Sequence, residues 1–326
     1  MDVFFYEAFE EETRALRDLL PASVKAGFTR HTIQEQGDTS PPAGLISIRT
    51  QSEVPAAWAG AIRGILARST GYDHLLRYSR TAGREVPCGY LPLYCSRAVA
   101  EQAALLWLAL LRRLPLQLRC FRRFERDGLT GRECRGLTLL VVGVGNIGSE
   151  VVDIGRGLGM TVLGVDPVEK CRSLRYVQRD EGLAMADVVV CCMNLTEHNA
   201  GYFSYDVLGR VKRGAVFVNI ARGEMSPAED LLRLLDNGTL GGVGLDVYRD
   251  EGALAVLMRK GRRPPDAAGR AVLELAGRSD AVLTPHNAFN AREAVERKSG
   301  HSVEQVVCFL ETGRFKWPVP REGDIP

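Results

Sequence analysis

Through the middle of the chain the spacing of apolar positions switches repeatedly between two periods. Six runs, at 137–145, 161–166, 187–194, 215–221, 241–248 and 281–286, are apolar almost without interruption. Strands buried on both faces have this character. Longer segments with helical spacing separate them, and alternation of this kind predicts βαβ units and a parallel sheet. One crossover helix carries start and stop signals. Ser226 is placed to cap it, Pro227 suits its first position, Glu229 would complete a capping box, and Asn237 with Gly238 would end it. The first hundred residues alternate more weakly, with short strands expected at 2–8, 43–50 and 64–69.

A long helix is expected from near Ser96, with Pro115 bending or interrupting it. It is apolar around most of its circumference, which suits either a plain core helix or an inter-domain or subunit contact. The stretch 252–270, with Gly261, Arg262, Arg263, Pro264 and Pro265, reads as an insertion that forms a solvated loop with a basic turn.

Composition narrows the field. A length of 326 residues suits two domains. Lys plus Arg total 42 against 40 Asp plus Glu, a net charge of +2, which supplies neither a nucleic-acid footprint nor a polybasic membrane anchor. The longest apolar run, 103–111, is closed by Arg112 and Arg113 and falls short of the roughly 18 residues that cross a bilayer. The N-terminus turns acidic at once, unlike a signal peptide, so a cytoplasmic location is expected. The eight cysteines form no C-x-x-C pair and no zinc spacing. They read as free buried thiols, Cys191 and Cys192 within a strand, and no metal site is expected.

The chemistry begins at Gly143, Gly145 and Gly148, a G-x-G-x-x-G that follows an apolar strand and opens a helix. In that context the glycines permit a tight turn, close approach to a pyrophosphate, and close packing of helix on strand. The helix start, with Asn146 and Ile147, offers N–H groups to phosphate. Asp166, 18 residues beyond Gly148, ends the next strand. A carboxylate there accepts from ribose hydroxyls and repels a 2′-phosphate, which favours NAD over NADP. Ligands in such sheets lie beyond the carboxyl ends of strands, and His286 and Arg222 both follow apolar runs there. Histidine suits proton transfer to a carbonyl oxygen near neutral pH, and a guanidinium clamps a carboxylate with two parallel bonds. Glu251 or the adjacent Asp250 would partner the histidine and favour its protonated form. Of the other histidines, His31, His198 and His301 read as structural or exposed, and His74 remains open.

Several of these segments together carry a family resemblance across nearly the whole chain. The stretch 218–251 is similar to the signature segment of the D-isomer-specific 2-hydroxyacid dehydrogenases. The segments 141–152, 69–75, 90–102 and 284–294 resemble that family's other motifs, in its order. The resemblance implies two doubly wound parallel-sheet domains. A Rossmann NAD-binding domain, 100–291, would be inserted in a flavodoxin-like catalytic domain, 1–99 and 292–326. It implies NAD as cofactor and a small 2-oxo or 2-hydroxy acid as substrate. It also implies a homodimer, whose interface would include the helix from Ser96, and closure of the two domains over the reaction.

By the same resemblance Arg222, Glu251 and His286 are the catalytic set, and Asp246 lies near the nicotinamide. Thr70 and Gly71 would bind the substrate carboxylate through backbone N–H groups. The chain looks most like the D-lactate dehydrogenase branch, where Tyr94 and Phe289 match substrate-pocket aromatics. It departs from the family at Gln102, where a histidine is usual, and at Gly252, where proline is common. Two rivals are a glyoxylate or hydroxypyruvate reductase on the same scaffold, and a non-catalytic NAD(H)-sensing corepressor-like module.

Overall fold

The computed structural model describes residues 1–320, which divide into two compact units, one made of 1–95 with the chain from 290 onward, the other of 96–289. Among the described residues the first unit is a five-stranded parallel sheet. Its strands are β1 (Val3–Phe5), β2 (Ala26–Phe28), β3 (Leu45–Ile48), β4 (Gly64–Ala67) and β5 (Cys88–Gly89), in the order β2-β1-β3-β4-β5. Helices α1 (Glu10–Leu19), α2 (Ile33–Gln36) and α3 (Asp73–Thr81) connect them. Strand order reverses between β1 and β3, the place where doubly wound sheets open a crevice. There Glu7, in a left-handed conformation (φ 55°), takes the backbone N–H groups of Arg49, Gln51 and Ser52 onto its carboxylate.

In the second unit α4 (Ser96–Leu111) is followed by α5 (Leu114–Cys120). Strands β6 (Thr138–Val142), β7 (Thr161–Val165) and β8 (Arg175–Tyr176) flank α6 (Asn146–Gly157). Then come α7 (Arg179–Met185), β9 (Val188–Cys191), α8 (Tyr205–Leu208), β10 (Ala215–Asn219), α9 (Ala228–Asp236) and β11 (Leu240–Leu245). Helices α10 (Glu251–Arg259) and α11 (Ala267–Ala276) precede β12 (Ala281–Leu283). Among the described residues the sheet has seven parallel strands, ordered β12-β11-β10-β9-β6-β7-β8, the doubly wound dinucleotide-binding order. Its core includes Leu140, Val189, Phe217, Leu231 and Leu245. After it, α12 (Arg292–Thr312) returns to the first unit and packs on α1, and Val319 N–H donates to the Cys88 carbonyl.

Several local expectations are corrected. Ser226 does not cap α9; its hydroxyl accepts from Asn219 Nδ2 at 2.8 Å, Pro227 stands at the cap, and no capping box forms. Pro115 does not break the long helix. The chain has already turned at Arg113 (φ 54°), and the proline sits in the first turn of α5, where its missing N–H costs nothing. The stretch 252–270 is largely helical, because its Ala, Leu and Met residues favour α10, and only the basic turn near Gly261 is exposed loop. All eight cysteines are free, yet only Cys95, Cys134 and Cys191 are buried. His286 lies beyond β12 rather than at its end.

Candidate active site

In the second unit the carboxyl edge of the sheet collects three loops. After β10 the chain turns at Arg222, whose guanidinium donates to the Ala221 carbonyl at 2.9 Å. Asn219, fully buried, shapes this turn: its Nδ2 donates to the Arg222 carbonyl (2.9 Å) and its Oδ1 accepts from Ala221 N–H (3.0 Å). The next residue has no room for a side chain. A Cβ on Gly223 would fall 2.0 Å from the Tyr248 carbonyl carbon, so the Arg222 turn lies flush against the loop after β11.

That second loop leads to Glu251, first residue of α10, and the third carries His286. His286 Nδ1 stands 2.8 Å from both Glu251 carboxylate oxygens. The two side chains are 19% and 17% exposed, so the pair is sheltered but reachable. Asp250, the alternative partner, is well exposed and lies 3.6 Å from Arg249 instead. A carboxylate on Nδ1 fixes the ring's orientation and leaves Nε2 as the atom for proton exchange.

Asp246 is buried beneath this loop and gathers it. Thr284 Oγ1 (2.5 Å) and Asn287 N–H (2.8 Å) donate to its Oδ1, and Ala288 N–H (2.8 Å) donates to its Oδ2. Burial pushes the Asp246 carboxyl up, against the opposing pull of His286 and these donors. Tyr248 OH donates to the Thr284 carbonyl at 2.8 Å, and Gln102, where the family's histidine is missing, reaches Thr284 Oγ1 at 3.4 Å. Phe289 is buried at the end of the same loop.

The glycine turn joins β6 to α6. Gly143 has φ 91°, which only glycine adopts freely, and a Cβ on Gly148 would fall 2.0 Å from the Gly143 carbonyl oxygen. The space beside Gly145 is open to 4 Å. Asp166 accepts Val144 N–H at 2.7 Å and Val168 N–H at 2.8 Å, one on each oxygen.

In the first unit Thr70 and Gly71 follow β4. Ser69 Oγ donates to the Gly71 carbonyl (2.7 Å), closing the loop, and Thr70 Oγ1 lies 3.5 Å from Cys95 Sγ. Tyr94 is buried, and burial raises its phenol well above the ordinary value.

Residues 104–288 match the D-isomer specific 2-hydroxyacid dehydrogenase NAD binding domain. The chain is also 32% identical over 295 residues to 2-hydroxyacid dehydrogenase A of Aspergillus oryzae, covering 87% of this chain and 83% of that one. It belongs to the D-isomer-specific 2-hydroxyacid dehydrogenase family. D-lactate dehydrogenase of Lactiplantibacillus plantarum is 29% identical over 259 residues, 78% of this chain and 77% of that one. Among solved structures, D-lactate dehydrogenase from Aquifex aeolicus, complexed with NAD and lactic acid, superposes with a TM-score of 0.83 at 26% identity. That match covers 97% of this chain and 99% of that one.

The 2-hydroxyacid dehydrogenase is thus an NAD-dependent oxidoreductase acting on a CH–OH group, and its substrate is a small 2-hydroxy or 2-oxo acid. The glycine turn fits that cofactor: open space at Gly145 admits a pyrophosphate to the N-terminus of α6, and Asp166 keeps lone pairs for ribose hydroxyls. Among the described residues no helix is long and apolar enough to cross a membrane, and no group of three His, Cys, Asp or Glu is placed to hold a metal.

The residues that sequence reasoning missed are those that aim the others. Asn219 and Thr284 stand within quoted runs, but their hydrogen bonds reach across loops and have no linear signature. Arg68 and Glu7 were passed over for the same reason.

Proposed function

We propose that this dehydrogenase interconverts a small, pyruvate-like 2-oxo acid and its D-2-hydroxy acid, with Arg222 binding the carboxylate and His286 moving the proton. The observation that carries the reading is the His286–Glu251 pair, 2.8 Å apart, in a unit whose Arg222 turn is pressed onto the loop leading to Glu251. The relatives named D-lactate dehydrogenase support the choice of a short side chain.

Arg222 clamps the carboxylate and thereby orients the 2-oxo group. Bound NADH supplies the hydride for the carbonyl carbon. His286, held through Nδ1 by Glu251, gives its Nε2 proton to the oxygen as negative charge develops there, and takes a proton back in the reverse direction. The Asp246 carboxylate holds the loop that carries His286, so the ring meets the oxygen at a set angle. Gly143, Gly145, Asn146, Ile147, Gly148 and Asp166 would hold the dinucleotide. In the first unit Thr70 and Gly71 would offer backbone N–H groups to a substrate carboxylate, with Tyr94 shaping the pocket there and Phe289 serving the same purpose in the second. We assign substrate binding to residues 1–99 and 292–326 and cofactor binding to 100–291.

We also propose a homodimer. Leu118, Phe121 and Phe124 are 67%, 72% and 72% exposed on and just after α5, a concentration of apolar surface that a second copy would cover. A cytoplasmic location is supported by eight thiols that are all unpaired.

The deciding experiment is a panel of pyruvate, glyoxylate, hydroxypyruvate and branched 2-oxo acids, assayed by absorbance with NADH and NADPH. The highest kcat/KM is expected for pyruvate with NADH. A clear preference for glyoxylate or hydroxypyruvate would overturn the substrate assignment.

A further inference from the structure

Behind the Thr70–Gly71 loop the first unit buries a charged cluster that the proposed chemistry does not use. Arg68 directly follows β4, two residues before Thr70, and its side chain is fully buried. Its guanidinium makes three bonds inside the unit: Nε to Glu12 Oε1 (2.9 Å), Nη1 to Ser47 Oγ (2.9 Å) and Nη2 to the Tyr6 carbonyl (2.6 Å). From α12, Lys298 places Nζ 2.8 Å from the same Glu12 oxygen and 4.9 Å from the centre of the Phe9 ring. Glu12, Arg68 and Lys298 are each 0% exposed.

One carboxylate therefore faces two buried cations, with Arg49 a third positive charge felt by both Glu12 and Lys298. Such a cluster is a poor choice for stability alone, because desolvating a charge costs several kcal/mol and apolar residues of similar volume commonly do better. Two buried cations that share one carboxylate raise the positive potential behind the loop, which favours an anion in front of it. Contacts lead toward that loop. The Lys298 charge is felt at the Cys95 thiol, and Cys95 Sγ is 3.5 Å from Thr70 Oγ1.

We propose that Lys298 is a positioning residue whose charge, anchored by Glu12 and Arg68 behind the Thr70–Gly71 loop, raises that loop's affinity for the substrate carboxylate. This rests on the reading of Thr70 and Gly71 given above. The groups that face the ammonium are Glu12 and the Phe9 ring, from α1 and the turn before it, Arg68 after β4 and Arg49 after β3; Cys95, before α4, feels both Lys298 and Arg297, whose Nε donates to the Tyr94 carbonyl. Burial pushes the ammonium down to about 7; Glu12 opposes this, and Arg49 and Arg68 add to it. The charge is then present at pH 6 and largely gone at pH 8.5, and the carboxylate affinity changes with it.

The test compares KM for pyruvate in the wild type, Lys298→Met and Lys298→Arg from pH 6 to 8.5, with NADH saturating. Ratios between proteins cancel any pH dependence that the three share. Lys298→Met should raise KM roughly tenfold at pH 6, a coupling of about one pK unit, and hardly at all at pH 8.5. Lys298→Arg, charged throughout, should match the wild type at pH 6 and show the lower KM by a similar factor at pH 8.5. In both, kcat should stay within about twofold. Either variant suffices if the other does not fold. Ratios that do not change with pH, or an effect confined to kcat, overturn the proposal. Failure of the wild type to turn over any oxo acid of the panel overturns the catalytic reading as well, whereas turnover with flat ratios overturns this inference alone.

Discussion

His286 holds a backbone conformation (φ 50°) that few residues other than glycine and asparagine adopt, three residues past the end of β12. The strain, of order 1–3 kcal/mol, is sustained by the three bonds that Asp246 collects from Thr284, Asn287 and Ala288. Replacing His286 by Ala should lower kcat by roughly two to four orders of magnitude while NADH binding, read by fluorescence, is kept. Near-full activity would sink the assigned role. Arg222→Lys should act mainly on KM, since one ammonium cannot reproduce the fork. A pH signature belongs to Glu12. Burial raises its carboxyl, but Arg68, Lys298 and Arg49 outweigh burial and hold it at about 2. The folded state therefore binds that proton less readily than the unfolded chain. Its contribution is complete above the ordinary carboxyl range near 4.3 and is lost as pH falls toward 2. Lys298, depressed to about 7, works in the same sense over a different window: stability should rise with pH from about 7 toward 10.5. Urea midpoints measured across pH should show both rises in the wild type, and the lower one should vanish in Glu12→Gln.

Between elements, the decisive contact is Gly223 against Tyr248. A methyl group there meets backbone on a neighbouring loop, so neither side can yield cheaply. Gly223→Ala should push the Arg222 turn away from the loop leading to Glu251 and destabilise by about 1–3 kcal/mol. The check is a kcat/KM that falls further than the drop in melting temperature explains. The same contact marks where linear reading stops. The buried strands β6, β9, β10 and β11 were legible because continuous apolar runs of that length have few other fates. By contrast β2, β5 and β8 are two- or three-residue strands at or near sheet edges, too short and too mixed in polarity to leave a pattern. Ser226 reads as a cap because Ser-Pro-x-Glu is good local chemistry, but Asn219, seven residues earlier, takes its hydroxyl for the Arg222 turn. The glycine turn and Asp166 could be read because they form a linear pattern, three glycines after a strand and an acid at the end of the next one. Position along the chain did not choose between Glu251 and Asp250 as the partner of His286, since that depends on how α10 starts, and the choice of Glu251 came from the family resemblance.

At the scale of the whole molecule, the apolar residues around α5 predict association. Replacing Phe121 and Phe124 by Asp should shift the sedimentation coefficient from that of a dimer to that of a monomer; an unchanged coefficient would count against this surface. The path of the chain has a further consequence, for the order of events during synthesis. The first ninety-five residues make a sheet whose flank stays bare until α12 arrives, almost two hundred residues later. Until then Glu12 and Arg68 lack Lys298 as a neighbour, and the Cys88 carbonyl of β5 lacks the Val319 N–H that donates to it. The second unit, unbroken in sequence, has no such wait. During synthesis the cofactor-binding half should therefore become protease-resistant first, with the opening segment still cleavable, and a released chain that ends near residue 289 should already retain NADH.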